Sequence, residues 1–523
     1  MLPSNHWARN FTVDAEDIDY LTNLLLEKET PLTSEQLALN LIEKRLQQEQ
    51  TAFEERYKDV QVYNPSQAYH VGQRLVFPHI NYETATVLNQ RTGFNPEYGD
   101  FNVIEVEFDP DSRTREFASD LAVPHKLSQE ATNGGLAGLN TANLTAEDIV
   151  REAGESILSV VEERLREQDD LIFMSRTWFP RDLILDINEG HLNLAEAVLD
   201  MSGGGPLPTE EILNQMGGLE NAPLPLQTFS LNYVLNQDSR FDEVGPTGEV
   251  LWYLSRLAPA DVKTTPFPLR YTPIEYDRAL LSPAMVRLEE EIDDELSAFE
   301  PVQHNANAQA EGTITLNYPH RRAGTLPLSA QVRQVFPSAQ RAPRIYITLV
   351  DGQDDSEYEG WVVPGSRYVY GLGEFYSKHK LPIGAHVTVS RAAPGKIRVD
   401  FSAYRPRTEY IRLIVPKGDQ IQFENHKRPI GADYDDLMIL GVDDLAALDE
   451  LIQSVQRKTL VTLLKMVLPA LSKLTPQGTA HAKTIYSAVN VLRRCPPGPM
   501  LALLEANPDF VNVGGDYWKL RED

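Results

Sequence analysis

Two rhythms of apolar residues divide this chain: stretches with helical spacing and stretches in which apolar and polar positions alternate. Ile18, Leu21, Leu24 and Leu25 keep the helical period until Glu29-Thr-Pro-Leu-Thr33 interrupts it. Thr33-Ser-Glu-Gln36 then predicts a capped second helix running to about Gln48, because a Gln three residues after a Thr completes a capping box. From Tyr63 to Leu121 the pattern becomes short alternating strands, such as Phe101–Phe108, parted by Gly, Asn and Pro turns, which predicts a small β-barrel. Ser128–Asn143 has a linker's composition, and Thr145 caps an acidic amphipathic helix from Ala146 to about Glu167. Helical spacing returns at His191–Met201, Thr209–Met216 and Phe229–Asn236, and again from Pro283 to about Leu296. After a second linker, Pro301–Glu311, the strands Ile345–Val350, Tyr368–Tyr370, His386–Arg391 and Lys396–Phe401 predict another β module. Three closing helices follow an acidic connector, at Thr459–Leu474, Thr479–Arg494 and Pro497–Ala506.

One local pattern occurs twice, about 270 residues apart. Phe241-Asp-Glu-Val244-Gly245 followed by Glu249-Val-Leu-Trp252-Tyr-Leu254 matches Phe510-Val-Asn-Val513-Gly514-Gly515 followed by Asp516-Tyr-Trp518-Lys-Leu520. Each copy reads as strand, Gly turn, strand, with a Phe and a Trp-x-Leu facing one small core, which is how a winged helix-turn-helix closes. The helix–turn–helix at the front resembles the start of a third such unit whose wing is not evident. The expected architecture is α+β and multi-domain, with two or three winged helix-turn-helix units interspersed with two small β-barrel-like modules. Its parts are an N-terminal helical unit (1–62), a β-barrel (63–122), a linker with an acidic helix (123–190) and a middle winged helix (191–258). An acidic helix and linker (259–312), a basic β module (313–428), an acidic connector (429–455) and a C-terminal winged helix (456–523) complete it.

Charge alters this picture more than bulk composition does. The net charge of −28 argues against a polyanionic partner until its distribution is read. Residues 313–428 carry 17 Lys and Arg against 10 Asp and Glu, and residues 456–523 carry 9 against 5, whereas residues 1–312 stand at −32. An acidic front half is thus joined to two basic stretches that can hold phosphate locally. No apolar run of membrane-spanning length is present, and the start of the chain lacks the apolar run of a signal peptide. Cys495, the single cysteine, excludes an intrachain disulfide and a Cys-rich zinc site. A cytoplasmic protein without membrane contact is expected.

Two family resemblances follow from particular residues. Thr479-Ala-His-Ala482, the helix to Arg494, and Phe510 to Leu520 resemble the winged helix-turn-helix of the HARE type, found in the RNA polymerase delta subunit and beside restriction and chromatin domains. In the basic β module, Phe375-x5-Leu381-x2-Gly384-x2-Val387 is similar to the DNA-binding pseudobarrel of plant auxin-response transcription factors and restriction-enzyme effector domains. That family places Asp after the Gly, where this chain has Ala385, and a Gly-Trp pair shortly before the Phe, where this chain has Leu372-Gly373. The resemblance implies base contacts from loops bearing Arg321, Arg322, Arg405 and Arg407.

The candidate nucleic-acid contacts are those four arginines with Lys378, Lys380, Arg391, Lys396, Arg398, Lys483, Arg493 and Arg494, interleaved in the β module with Phe375, Tyr376, Phe401, Tyr404 and Tyr410. Alternating cations on strands also suit a barrel that simply turns them to solvent. The helix Pro497–Ala506 offers no donor to a base, so Met500, Leu501 and Leu504 read as a protein-binding face. Phe229–Asn236 is better supplied, with Ser230, Asn232, Asn236 and Gln237, although Asp242, Glu243 and Glu249 of its wing face phosphate badly. Asp261-Val-Lys263 with Glu249 fits only loosely the spacing of a nuclease metal site, and the histidines show no metal-ligand spacing. No cofactor, metal or catalytic constellation is expected. The leading expectation is a non-enzymatic regulatory protein that binds DNA or RNA through its C-terminal half. The alternative is a protein-interaction scaffold, transcription-machinery-associated, whose partner docks on the C-terminal winged helix.

Overall fold

The computed structural model describes residues 11–521 apart from 59, 81, 97, 110–111, 124, 126, 128–144, 220–221 and 300–309. The expected linkers at 128–143 and 301–311 and the expected arm at 1–12 lie wholly or mostly outside the described residues. The fold is mixed α+β and divides into two compact units, residues 1–186 with 219–233, and residues 187–218 with 234–523.

In the first unit the helix Ala15–Lys28 begins at a capping box between Asp14 and Asp17 and stops at Glu29, whose φ of 48° leaves helical geometry. Thr33 and Gln36 form the expected box: the Thr33 N–H donates to Gln36 Oε1 at 2.9 Å and the Gln36 N–H to Thr33 Oγ1 at 3.2 Å. That helix, Ser34–Arg56, runs about two turns beyond the expected end. Thr145 caps Ala146–Arg166 as expected, and Leu37, Leu41 and Ile42 pack against Ile149, Ile157 and Val161. The strands Leu171–Met174 and Thr177–Pro180 make a hairpin whose corner, Ser175 and Arg176, has positive φ at both residues, the geometry that matches strand twist. Leu32–Thr33 adds to this hairpin, so the front helices do have their closing sheet, supplied from far along the chain. Between Arg56 and Ala146 lies a five-stranded sheet, Gln61–Val62, Arg74–Phe77, Glu83–Asn95, Gly99–Phe108 and Thr114–Ser119, cored by Tyr63, Tyr69, Phe77 and Phe108. Leu226 and Phe229 of the helix Leu224–Leu235 pack on Ile172 and Phe179 in this unit.

The second unit repeats that closing arrangement twice. Leu207–Pro208, Leu251–Leu254 and Phe241–Glu243 form one three-stranded sheet, and Ala480–His481, Tyr517–Leu520 and Phe510–Gly514 form another. All three small sheets place a fully buried Trp opposite the first residue of a two-residue strand: Leu32 faces Trp178, Leu207 faces Trp252, and Ala480 faces Trp518. In chain order each set runs helix, two-residue strand, helix, helix, hairpin, with the five-stranded sheet interposed in the first; the third helix of the middle set, Leu224–Leu235, belongs mostly to the first unit, unlike the single middle unit expected at 191–258. A buried indole N–H needs an acceptor. Trp178 Nε1 donates to Ser34 Oγ at 3.0 Å and Trp252 Nε1 to Thr209 Oγ1 at 3.2 Å, each the first residue of the following helix. The equivalent residue in the third set is Ala482, and Trp518 Nε1 finds no acceptor among the described residues.

The β module expected at 313–428 is two structures. A barrel-like seven-stranded sheet runs in the order Glu311–Thr315, His386–Ala393, Lys396–Asp400, Ile345–Asp351, Glu357–Val363, Tyr368–Tyr370, Thr325–Pro327. Ile345, Ile347, Leu349, Val387, Val389, Ile397 and Val399 alternate into its core. Phe375, Leu381 and Val387 of the spaced motif are buried there, and Gly384 has φ 93° with no room for a Cβ beside Ile439 N at 2.9 Å. The long hairpin Ala403–Lys417 and Gln420–Ala432 belongs to a separate sheet with Leu440–Val442. Ile414, Ile421 and Phe423 of that hairpin join the largest core, with Leu463, Val467, Ile485, Met500 and Leu501.

The three tryptophans give a direct test of this packing. Ala482→Ser should supply the missing acceptor and stabilise the chain by about 1 kcal/mol, whereas Thr209→Ala should cost about 1–3 kcal/mol by stranding a donor. Urea unfolding followed by tryptophan fluorescence will read both shifts.

Candidate anion-binding cleft

The helix Pro283–Ile292 starts at Ser282, and Asp293 ends it with φ 48°. The turn aims three successive carboxylates inward. Asp293 accepts from Ser329 Oγ and from the Ala330 N–H at 3.1 Å. Asp294 and Glu295 meet Arg494, which is fully buried: its Nη2 lies 2.6 Å from Asp294 Oδ1 and 2.7 Å from Glu295 Oε1. Arg494 Nη1 donates to Asn490 Oδ1 at 2.9 Å and to the Cys495 carbonyl at 3.1 Å. Tyr486 donates its hydroxyl to Asp294, and His320 Nε2 stands 3.1 Å from Glu295 Oε1. Burial opposes ionisation of Glu295, but Arg494 and then His320 overcome it and hold its carboxyl well below the ordinary range. Asp294 is pushed up instead, by burial and by the neighbouring Glu295, against the pull of Arg494.

Above this network opens a cleft of about 1180 Å³. It is lined by residues of the segment Phe267–Ile274, by Tyr318 and Arg322, by the end of the helix Leu445–Val455 with Gln456–Thr459, and by Asn490–Arg494. Arg270, Arg322, Arg457, Lys458, Arg493 and Arg494 line it, against Asp449 as the one acidic residue among the described residues of its wall. Arg494 is neutralised from beneath, and Arg322 is 3.0 Å from Asp449. Arg493 donates to the carbonyls of Val455 (3.1 Å) and Gln456, so a helix C-terminus holds the guanidinium in place, and burial lowers its pKa. Arg270 Nε donates to the Thr265 carbonyl at 3.0 Å, and Lys458 Nζ is 3.9 Å from Asp419. Arg457 is exposed. Four cations therefore remain with little or no carboxylate compensation. Such a set can bind a phosphate or another anion.

No family model, no curated protein and no solved structure matches this chain. The geometry alone carries the reading of the site.

The cleft gathers Arg322, Arg493 and Arg494 from the residues singled out in the sequence; Arg270, Arg457 and Lys458 were missed. The other expected contacts are mostly engaged. Lys378 pairs with Asp351 (2.9 Å) and Asp354 (2.6 Å), Lys396 with Glu357, Arg398 with Asp355 (2.7 Å), and Lys483 with Glu291 (3.1 Å) and Asp435 (3.2 Å). Arg321 donates to the Leu381 carbonyl at 2.8 Å and Arg391 to those of Gln334 and Val335. Lys380, Arg405 and Arg407 are exposed, with Arg407 lying 5.7 Å from the Tyr404 ring centre. Two expectations change outright. Arg494 is an interior ion-pair member and not a surface contact, and Met500, Leu501 and Leu504 are core residues and not a docking face, because their helix is buried almost all round. Ser230 and Asn232 are also interior, bonded to the Leu185 N–H (3.1 Å) and Ser175 Oγ (3.1 Å). Among the described residues, no group of three or more His, Cys, Asp or Glu is placed to hold a metal ion. No helix of the described residues is long and apolar enough to cross a membrane.

The network beneath the cleft predicts an asymmetry. Arg494→Met strands buried carboxylates and should cost about 3–5 kcal/mol. Glu295→Gln should destabilise more than Asp294→Asn at neutral pH, because only the Glu295 carboxyl is held down by its partners. Its contribution is present above the unfolded carboxylate pKa of about 4.3 and is lost as pH falls through its lower folded value, while the raised Asp294 carries the opposite sign. Chemical denaturation of the three variants between neutral and acid pH will measure this.

Proposed function

We propose that the chain is a non-enzymatic regulatory protein that binds the phosphate backbone of DNA or RNA in the cleft of its second unit. The observation that carries this reading is the concentration of Arg270, Arg457, Lys458 and Arg493 at one concavity in a protein of net charge −28. Several cations around the seven-stranded sheet are matched by neighbouring acids, as Lys378, Lys396 and Arg398 are. Here Lys458 has one distant carboxylate, Asp419 at 3.9 Å, and Arg270 and Arg493 are bonded to carbonyls, so a polyanion can supply the countercharge. The three helix–strand–helix–helix–hairpin sets are read as winged helix-turn-helix units, the last of the HARE type, and the seven-stranded sheet as the pseudobarrel-like module. A cytoplasmic location belongs to the same proposal. The scaffold alternative loses its residue-level support, since Met500, Leu501 and Leu504 lie in the core.

The test is a titration of the full chain with labelled DNA and RNA at two salt concentrations. Wild type should bind with salt-sensitive affinity, and Arg270→Glu combined with Arg457→Glu should weaken binding at least about ten-fold and flatten the salt dependence. Absence of binding at low salt, or an unchanged affinity in the double variant, overturns the reading.

A further inference from the structure

The lining of the cleft joins two chemistries. Arg270, Arg457, Lys458 and Arg493 supply cations, and Phe267, Pro268, Pro273 and Ile274 supply apolar surface. Phe267 stands at this site with 54% of its surface exposed. Its conformation is fixed. It opens a short turn, Phe267–Leu269, between Pro266 and Pro268, and the Arg270 N–H closes that turn onto the Phe267 carbonyl at 3.2 Å. Two residues on, Leu269 is buried with Val262, Trp361 and Tyr368, so the turn is nailed to the body while the phenyl ring is held outward. A phenyl ring carried on a fixed backbone has only two side-chain torsions to lose on meeting a flat partner.

Apolar surface, an exposed ring and cations lining one cleft together match a ligand that offers a flat face and a phosphate on the same unit. In duplex DNA or RNA the base faces are stacked inside the helix, and only base edges and the backbone are on offer. In a single strand each base is free to lie on an aromatic ring while its phosphate turns to the cations. We infer that the cleft takes single-stranded nucleic acid, with one base stacked on Phe267 and the adjoining backbone on Arg457, Lys458 and Arg493. This inference rests on the polyanion reading and deepens it.

The experiment compares a short labelled oligothymidylate with a duplex of equal charge, using the full chain. Phe267→Ala should weaken the single strand about ten-fold without changing its salt dependence, since a stacked base and not a charge is removed. Phe267→Trp should restore binding, the duplex should be indifferent to both changes, and thermal melting should be unaltered because the ring is exposed. An unchanged single-strand affinity in Phe267→Ala, an equal loss for the duplex, or no rescue by Trp overturns the inference. If Arg270→Glu with Arg457→Glu abolishes binding while Phe267→Ala does nothing, backbone binding stands and base stacking falls. If the charge reversals also do nothing, both fall.

Discussion

The second unit is organised around one guanidinium. The Arg494 side chain is buried, and it gathers polar groups from near and far: two carboxylates from the turn after Ile292, an amide from the preceding helix, and the carbonyl of the next residue. Taking an arginine and two acids out of water is costly unless the geometry satisfies them. That requirement fixes where the turn at Asp293, the helix Tyr318–Ala323 with His320, and the helix Ala482–Leu492 with Tyr486 stand relative to one another. The floor of the cleft is the outer surface of this arrangement. The same network keeps Arg494 from serving an external anion, so the cations that can do so are those set around it.

Charge is therefore used in two ways within a short distance. Inside, positive and negative groups are matched and cannot act on a ligand. At the cleft, Arg493 is fastened to a helix C-terminus by its hydrogen bonds to carbonyls, which position a cation without cancelling its charge. The seven-stranded sheet shows the first use at its surface, where Lys396 and Arg398 meet Glu357 and Asp355. A tally of charge along the sequence gives the same count for both.

What was legible in the sequence was local. The boxes at Thr33 and Thr145 involve residues three positions apart, and the strands at 345–350 and 396–400 announce themselves by alternation. The paired hairpins at 241–254 and 510–520 were visible because Phe-x3-Gly and Trp-x-Leu recur in the same order. The first hairpin was not, since Leu32 and Trp178 are parted by an entire inserted sheet and Thr177-Trp-Phe-Pro180 lacks the Gly turn and the Trp-x-Leu of the others. The partners of Arg494 lie about 200 residues away, beyond the reach of any periodicity argument. Arg457 and Lys458 did leave a signal, a basic pair placed just after a helix end and before the Thr459 cap, but it was absorbed into a regional sum.

The inserted five-stranded sheet brings its own two ends together. The N–H groups of Leu121 and Asp120 donate to the carbonyls of Pro65 and Gln67, at 3.0 and 2.9 Å, so the two ends of the insert are tied side by side. Once that sheet has folded, the chain from Pro65 to Leu121 is already closed on itself, so the entropy of closing that loop no longer opposes the packing of the helices Ser34–Arg56 and Ala146–Arg166.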